Sequence, residues 1–224
     1  MKAAIYHFTD SENINTAVCR KSIEALEKLT LDKGYDDYDI YLDTSLLMKN
    51  RVNYHNLLSK MEMYDAFIFM DFYHITKVTT SMIKQLKDFS SHNIQIYTLR
   101  DGSFILKEAP TDKPLKVATY CCRFGEQVQM DKLVSVENKT LELFVNKKTN
   151  WTLCEQYIDK DKNEVYDSQK QLMEIIKNKN KYDLLLIHRL KDISWRSAKF
   201  CKRRQQLGMD IYALRDGFLE YERI

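Results

Sequence analysis

Short apolar runs alternate with helical-period stretches along the whole chain, and the alternation occurs twice. In the first half, Ala3 to Phe8 reads as a strand. It is followed by a helix carrying Ile14, Ala17, Val18, Ala25 and Leu29 on one face, with Asp10 or Ser11 as its expected cap. Gly34 ends that helix, and Tyr38–Leu42 forms a second strand that finishes at Asp43. Leu57, Leu58 and Met61 mark a further helix before the strand Ala66–Met70. A helix over Thr76–Phe89 and a strand over Ile94–Leu99 complete a βαβαβαβ series. The second half runs the same course: strand Val117–Cys122, helix Met130–Val145, strand Trp151–Ile158 ending at Asp159, helix Gln169–Ile176, strand Leu184–Ile187, helix Ile193–Gln205 and strand Met209–Leu214. A short last strand closes each copy, Ser103–Leu106 and Phe218–Tyr221. Strands alternating with helices of this length predict parallel sheets covered on both faces.

The halves also agree in particular residues. Tyr64-Asp65 opens one third strand and Tyr182-Asp183 the other, and Leu99-Arg100-Asp101-Gly102 returns as Leu214-Arg215-Asp216-Gly217. A period of roughly 110 residues is too long for a solenoid unit and matches a small domain. The expected fold class is therefore α/β, with two tandem domains at 1–108 and 115–224. Both prolines, Pro110 and Pro114, fall in the stiff join between them.

Composition narrows the chemistry. With 44% hydrophobic and 30% charged residues in 224, the chain can bury a core, and no apolar run approaches the roughly 20 residues that span a bilayer. No signal-like apolar segment follows Lys2, so a cytoplasmic location is expected and no membrane partner. Five cysteines without CxxC spacing indicate neither a disulfide framework nor a zinc site. Only five glycines are present, and no Gly-rich phosphate loop can be drawn, so no cofactor is expected.

The order of elements resembles the catalytic domain of serine recombinases, the resolvase/invertase family. The residues that carry the likeness are Tyr120-Cys121-Cys122-Arg123 and Tyr6-His7-Phe8-Thr9-Asp10 at the first strand ends, the strands ending at Asp43 and Asp159, and Arg51. His188-Arg189-Leu190-Lys191-Asp192 and Asp71-Phe72-Tyr73-His74-Ile75 complete the set. The resemblance implies a resolvase-like fold in which a serine attacks phosphorus while arginines hold the phosphate. Here the serine position holds Asp10 in one copy and Phe124 in the other, and most of the arginines are replaced. The implied function is a degenerate, non-catalytic relative. It would act as an accessory or regulatory protein, associated with a mobile element, through an unidentified protein partner or weak DNA binding, with the two halves as an internal pseudo-dimer.

Two alternatives stay open. One is a DNA phosphodiester enzyme with a relocated nucleophile, Ser11 or Cys122, helped by His188 and Arg189. Against it, Ser11 reads first as a helix cap, and Cys122 as a buried structural thiol. The other is a DNA-binding module built on the basic helix 193–205. Arg196, Lys199 and Arg203 there share one face, and Arg123 and Arg189 add phosphate contacts.

Overall fold

The computed structural model describes residues 1–9, 16–44, 51–73, 75–108, 113–124, 127–161 and 169–221. It divides into two compact units, Met1–Lys77 with Lys84–Ile105, and Val78–Ile83 with Leu106–Arg223. Each is an α/β unit with a mostly parallel sheet and helices on both faces.

The first unit contains β1 (Lys2–Thr9), α1 (Ala17–Asp32), β2 (Asp37–Thr44), α2 (Val52–Ser59) and β3 (Ala66–Phe69). Most of α3 (Thr79–Ser91), β4 (Gln95–Thr98) and β5 (Gly102–Ser103) complete it. The strand order is β2-β1-β3-β4-β5, parallel except for the β4–β5 hairpin. Every residue of β3, and Ala3 to Phe8 in β1, is buried, because helices cover both faces of a parallel sheet. Ala3, Ile5, Leu26, Ala66 and Ile68 meet in one core cluster. Helix α1 begins later than its apolar period suggests. Thr16 caps it, its hydroxyl accepting from the Cys19 amide at 3.1 Å. Asp10 and Ser11, the expected caps, lie outside the described residues.

The second unit contains β6 (Leu106–Lys107), β7 (Leu115–Phe124), α4 (Gln127–Asn146), β8 (Trp151–Asp161), α5 (Lys170–Lys177) and β9 (Leu184–Ile187). Then follow α6 (Ser197–Leu207), β10 (Asp210–Ala213) and β11 (Gly217–Leu219). The order is β6-β11-β10-β9-β7-β8. The strands β8, β7, β9 and β10 are parallel, β11 runs antiparallel to β10, and β6 pairs antiparallel with β11. Its core gathers Val117, Leu141, Val145, Trp151, Leu184, Leu186 and Phe218.

The basic helix differs from expectation at its start. Residues Leu190–Asp192 form a 3-10 turn, Arg196 is the N-cap, and α6 begins only at Ser197. Ile193 is fully buried beneath that turn rather than lying on a helical face. At the other end Gly208, with φ of 59°, takes the left-handed position that lets the chain turn into β10.

Candidate functional site

In both sheets the first strand lies between the second and the third, so the direction of crossover reverses beside it. Ligands of parallel sheets gather outside the carboxyl ends of the strands at such a point. In the second unit this edge collects Tyr120, Cys122 and Arg123 from β7, Asp159 from β8, and His188 and Arg189 after β9.

Asp159 is occupied in structure. It accepts the Tyr120 hydroxyl at 3.0 Å and the amides of Gln171 and Leu172 at 3.0 and 3.1 Å, closing the open N-terminus of α5. A carboxylate there satisfies orphan donors and meets the positive end of the helix. Asp43 does the same in the first unit for Asn53, Tyr54 and Tyr6, at 3.0, 2.9 and 3.2 Å.

The arginines of the edge are likewise engaged. Arg123 pairs with Glu137, and with Asp192 at 3.2 Å. Arg189 reaches the same Asp192 oxygen at 3.2 Å, and its amide donates to the other oxygen at 3.1 Å. Two guanidinium groups therefore face two carboxylates, and a phosphate would have to displace an anion to enter. Asp192 is buried; burial pushes its carboxyl upward, and Arg123 and Arg189 oppose that push. The Arg189 Nε has no hydrogen-bond partner. His188 donates from Nε2 to the Glu137 carbonyl at 2.9 Å, a tie between β9 and α4.

Gln169 is the centre of a second cluster. Its amide nitrogen donates to the Tyr120 oxygen at 2.9 Å, the Asp192 carbonyl at 2.8 Å and the Cys122 sulfur at 3.4 Å. Its carbonyl accepts from Arg203, which also donates to the Ile193 carbonyl. Cys122 is buried, and burial raises its thiol to about 11 despite the hydrogen bonds from Tyr120 and Gln169. It is a protonated structural thiol at neutral pH, and Arg123 beside it is turned toward carboxylates. Ser11 lies outside the described residues.

The three basic residues of the expected helical stripe do not share one solvated surface. Arg196 is exposed and lies over the Trp195 ring, with 4.8 Å to the centroid. Lys199 is half-buried, and burial lowers its ammonium. Arg203 is only 5% exposed, and Arg204 only 1%, its guanidinium donating to the Glu220 carbonyl at 2.7 Å and covering Tyr221. Long guanidinium side chains satisfy buried carbonyls from inside the fold, so charge along a helix did not mean a face toward water.

At the opposite edge of the same sheet, beyond the amino ends of β7, β9 and β10, lies an open cleft of about 640 Å³. Pro114, Leu115 and Met209 give it apolar walls, Tyr182 and Tyr221 offer rings, and Lys113, Asp183 and Asp210 bring charge. Asp183 accepts the Lys116 amide at 2.8 Å, as Asp65 accepts the Lys2 amide at 2.7 Å in the first unit. Asp210 accepts the Tyr221 amide at 2.8 Å and is half-buried, and burial raises its carboxyl above the ordinary range. The sequence reading missed Asp210 and Lys113 as site residues. The one available signal was a second acid, Asp210, at the start of a strand neighbouring the one that Asp183 precedes.

Among the described residues, no group of three or more His, Cys, Asp or Glu is placed to hold a metal. Nor is any helix long and apolar enough to cross a membrane.

No protein-family model matches the chain, and no curated protein matches it. Among solved structures it is similar to an ABC transporter periplasmic solute-binding protein from Actinobacillus succinogenes 130z with bound D-allose. That match has 10% identity and a TM-score of 0.29, over 95% of this chain and 77% of the other. A solute-binding protein of an ABC transporter from Mycobacterium smegmatis with bound glycerol matches at 10% identity and a TM-score of 0.29, over 92% and 71%. A substrate-binding periplasmic protein from Ralstonia solanacearum matches at 8% identity and 0.26, over 94% and 63%. Scores this low leave the fold to be read from the strands and helices themselves.

No family model and no curated protein speaks for a recombinase, none of these neighbours is one, and the arginines expected at its phosphate are paired with Glu137 and Asp192. The resemblance to the resolvase/invertase family is therefore withdrawn. The recombinase-like accessory role, its mobile-element association and its protein or DNA partners go with it. The alternatives find no support either: Cys122 is buried and protonated, Arg203 of the basic helix is turned inside the fold, and Ser11 lies outside the described residues.

Proposed function

We propose that the chain binds a small polar solute in the cleft at the amino edge of the second sheet. The observation that carries this reading is the cleft itself, about 640 Å³ of open space with the half-buried carboxylate of Asp210 in its wall. Small-molecule sites are concave and oriented by a few well-placed polar groups, and volumes of roughly 300–1,000 Å³ are usual for them. Here Leu115 and Met209 supply apolar wall, and Asp183, Asp210 and Lys113 supply the orienting groups. At the carboxyl edge the arginines Arg123 and Arg189 already face Glu137 and Asp192.

Screening a library of small polar solutes by thermal shift, with equilibrium dialysis of the hits, tests the reading. Asp210→Asn keeps an oxygen for the Tyr221 amide while removing the charge, and it should weaken the hits about tenfold or more, as expected for loss of a charge-assisted contact. Arg189→Met, at the other edge, should leave them unchanged. An empty screen, or hits indifferent to Asp210→Asn and lost in Arg189→Met, contradicts the proposal.

A further inference from the structure

The charges in and around the cleft have both signs. Asp183 and Asp210 stand against Lys113 in its lining, and Lys113 and Arg204 act on Asp210 while Glu220 opposes them. Lys179 lies close by. Its ammonium donates to the Gln206 carbonyl at 3.1 Å and would sit 3.5 Å from a Cβ placed on Gly208. Glu220 is held by Lys107.

We infer that the occupant of this cleft is zwitterionic, its ammonium directed to Asp210 and Asp183 and its anionic group to Lys113, with an apolar remainder against Leu115 and Met209. The inference rests on the solute-binding reading above and narrows it to a chemical class. A simple amine would be drawn to the carboxylates but would bring its charge up to Lys113. A simple acid would meet Asp183 and Asp210. A neutral polyol would hydrogen-bond to these groups in place of water but would bring no opposite charge to either wall, and bonds between two charged groups are the stronger ones. A molecule with both charges at its ends, such as a dipeptide, answers each wall with the opposite sign. The volume suits a ligand larger than a single small headgroup.

Isothermal titration with three probes tests this: leucyl-leucine, its C-terminal amide and its N-acetyl derivative. The free dipeptide should bind at least about tenfold more tightly than either blocked form, because each blocked form loses one charge-assisted contact. Lys113 is exposed, so Lys113→Met should fold normally. It should weaken the dipeptide about tenfold or more while leaving the amide no weaker than before. Equal affinity for the dipeptide and a blocked form overturns the zwitterion inference and leaves the cleft reading standing, as does failure of all three probes while other solutes still bind in an Asp210-dependent manner. If no solute of any charge class binds through Asp210, the cleft reading has failed first, and the inference falls with it.

Discussion

At the N-cap of α2 the first unit carries Arg51, whereas the second carries Gln169 at the N-cap of α5. The seventh residue of the helix before the fourth strand is reversed in the same sense: Gln85 in α3, Arg203 in α6. Both arginines serve one purpose. Arg51 donates to the Ile75 carbonyl at 2.6 Å, and Arg203 donates to the Ile193 carbonyl, at matching places after the third strand. A buried carbonyl at this bend needs a donor, and either element can send one across. The anchors around it are kept: Asp43 and Asp159 cap a helix, Asp65 and Asp183 hold the first strand, and Asp101 and Asp216 accept the Phe72 and Leu190 amides at 3.0 and 2.8 Å. What the repeat preserves is a set of hydrogen bonds that hold the architecture. The residues supplying the long cations have been free to change places.

The carboxyl edges differ more. In the first unit Asp71 pairs with an exposed Arg100, and Phe8 lies under Arg51. Asp71 and Asp192 are both buried, but Asp192 lies between two largely buried cations, Arg123 and Arg189. Removing one member of a buried ion cluster strands the others, so Asp192→Ala should cost about 3–5 kcal/mol in urea unfolding. Asp71→Ala should cost less, about 1–2 kcal/mol, since Asp71 is buried but its one cation stays in water and is not stranded by the loss. Equal costs would erase the distinction between the two edges.

The exchange of arginine and glutamine can be tested within the second unit. Arg203→Gln leaves the Ile193 carbonyl without its donor and should cost about 1–3 kcal/mol. Adding Gln169→Arg recreates the first unit's arrangement and should recover about 1 kcal/mol or more of that loss, a coupling that independent sites would not show. Strict additivity of the two substitutions would mean that the swap is coincidental.

A smaller effect concerns alkaline pH. The Cys122 thiol is raised to about 11, first by burial, and the first unit has Phe8 in its place. A thiol in the unfolded chain loses its proton near pH 8.5, so between there and about 11 the folded form holds the extra proton. Stability should therefore be fully present below pH 8.5 and fall as pH rises, and Cys122→Ala should flatten that fall by about one proton. Unfolding midpoints at pH 8.5 and 10.5 measure it, and an unchanged slope in the variant would show that the thiol is not shielded.

The strands were legible because a parallel strand covered on both faces must be apolar throughout: Leu184–Ile187 reads the same in the sequence and the structure. The start of α6 was not, because Ile193 has helical spacing yet lies under a 3-10 turn that no local pattern announces. Arg203 and Arg204 were illegible as interior residues, since a basic run implies water until the carbonyls that receive it are known. Cys122 as a buried thiol was one of two readings the sequence offered, and burial decides it. The cleft was hidden for a different reason. Lys113, Asp183 and Asp210 come from three separate places in the chain, and only the sheet brings them to one edge.

The central claim is that the second sheet receives a ligand at its amino edge while the charges at its carboxyl edge hold the fold together. Backbone amide shifts followed during titration with a bound solute test it most directly. Shifts concentrated at 113–116, 182–184, 208–210 and 221 are the expected result. Shifts concentrated at 122–124, 169 and 188–192 would contradict it.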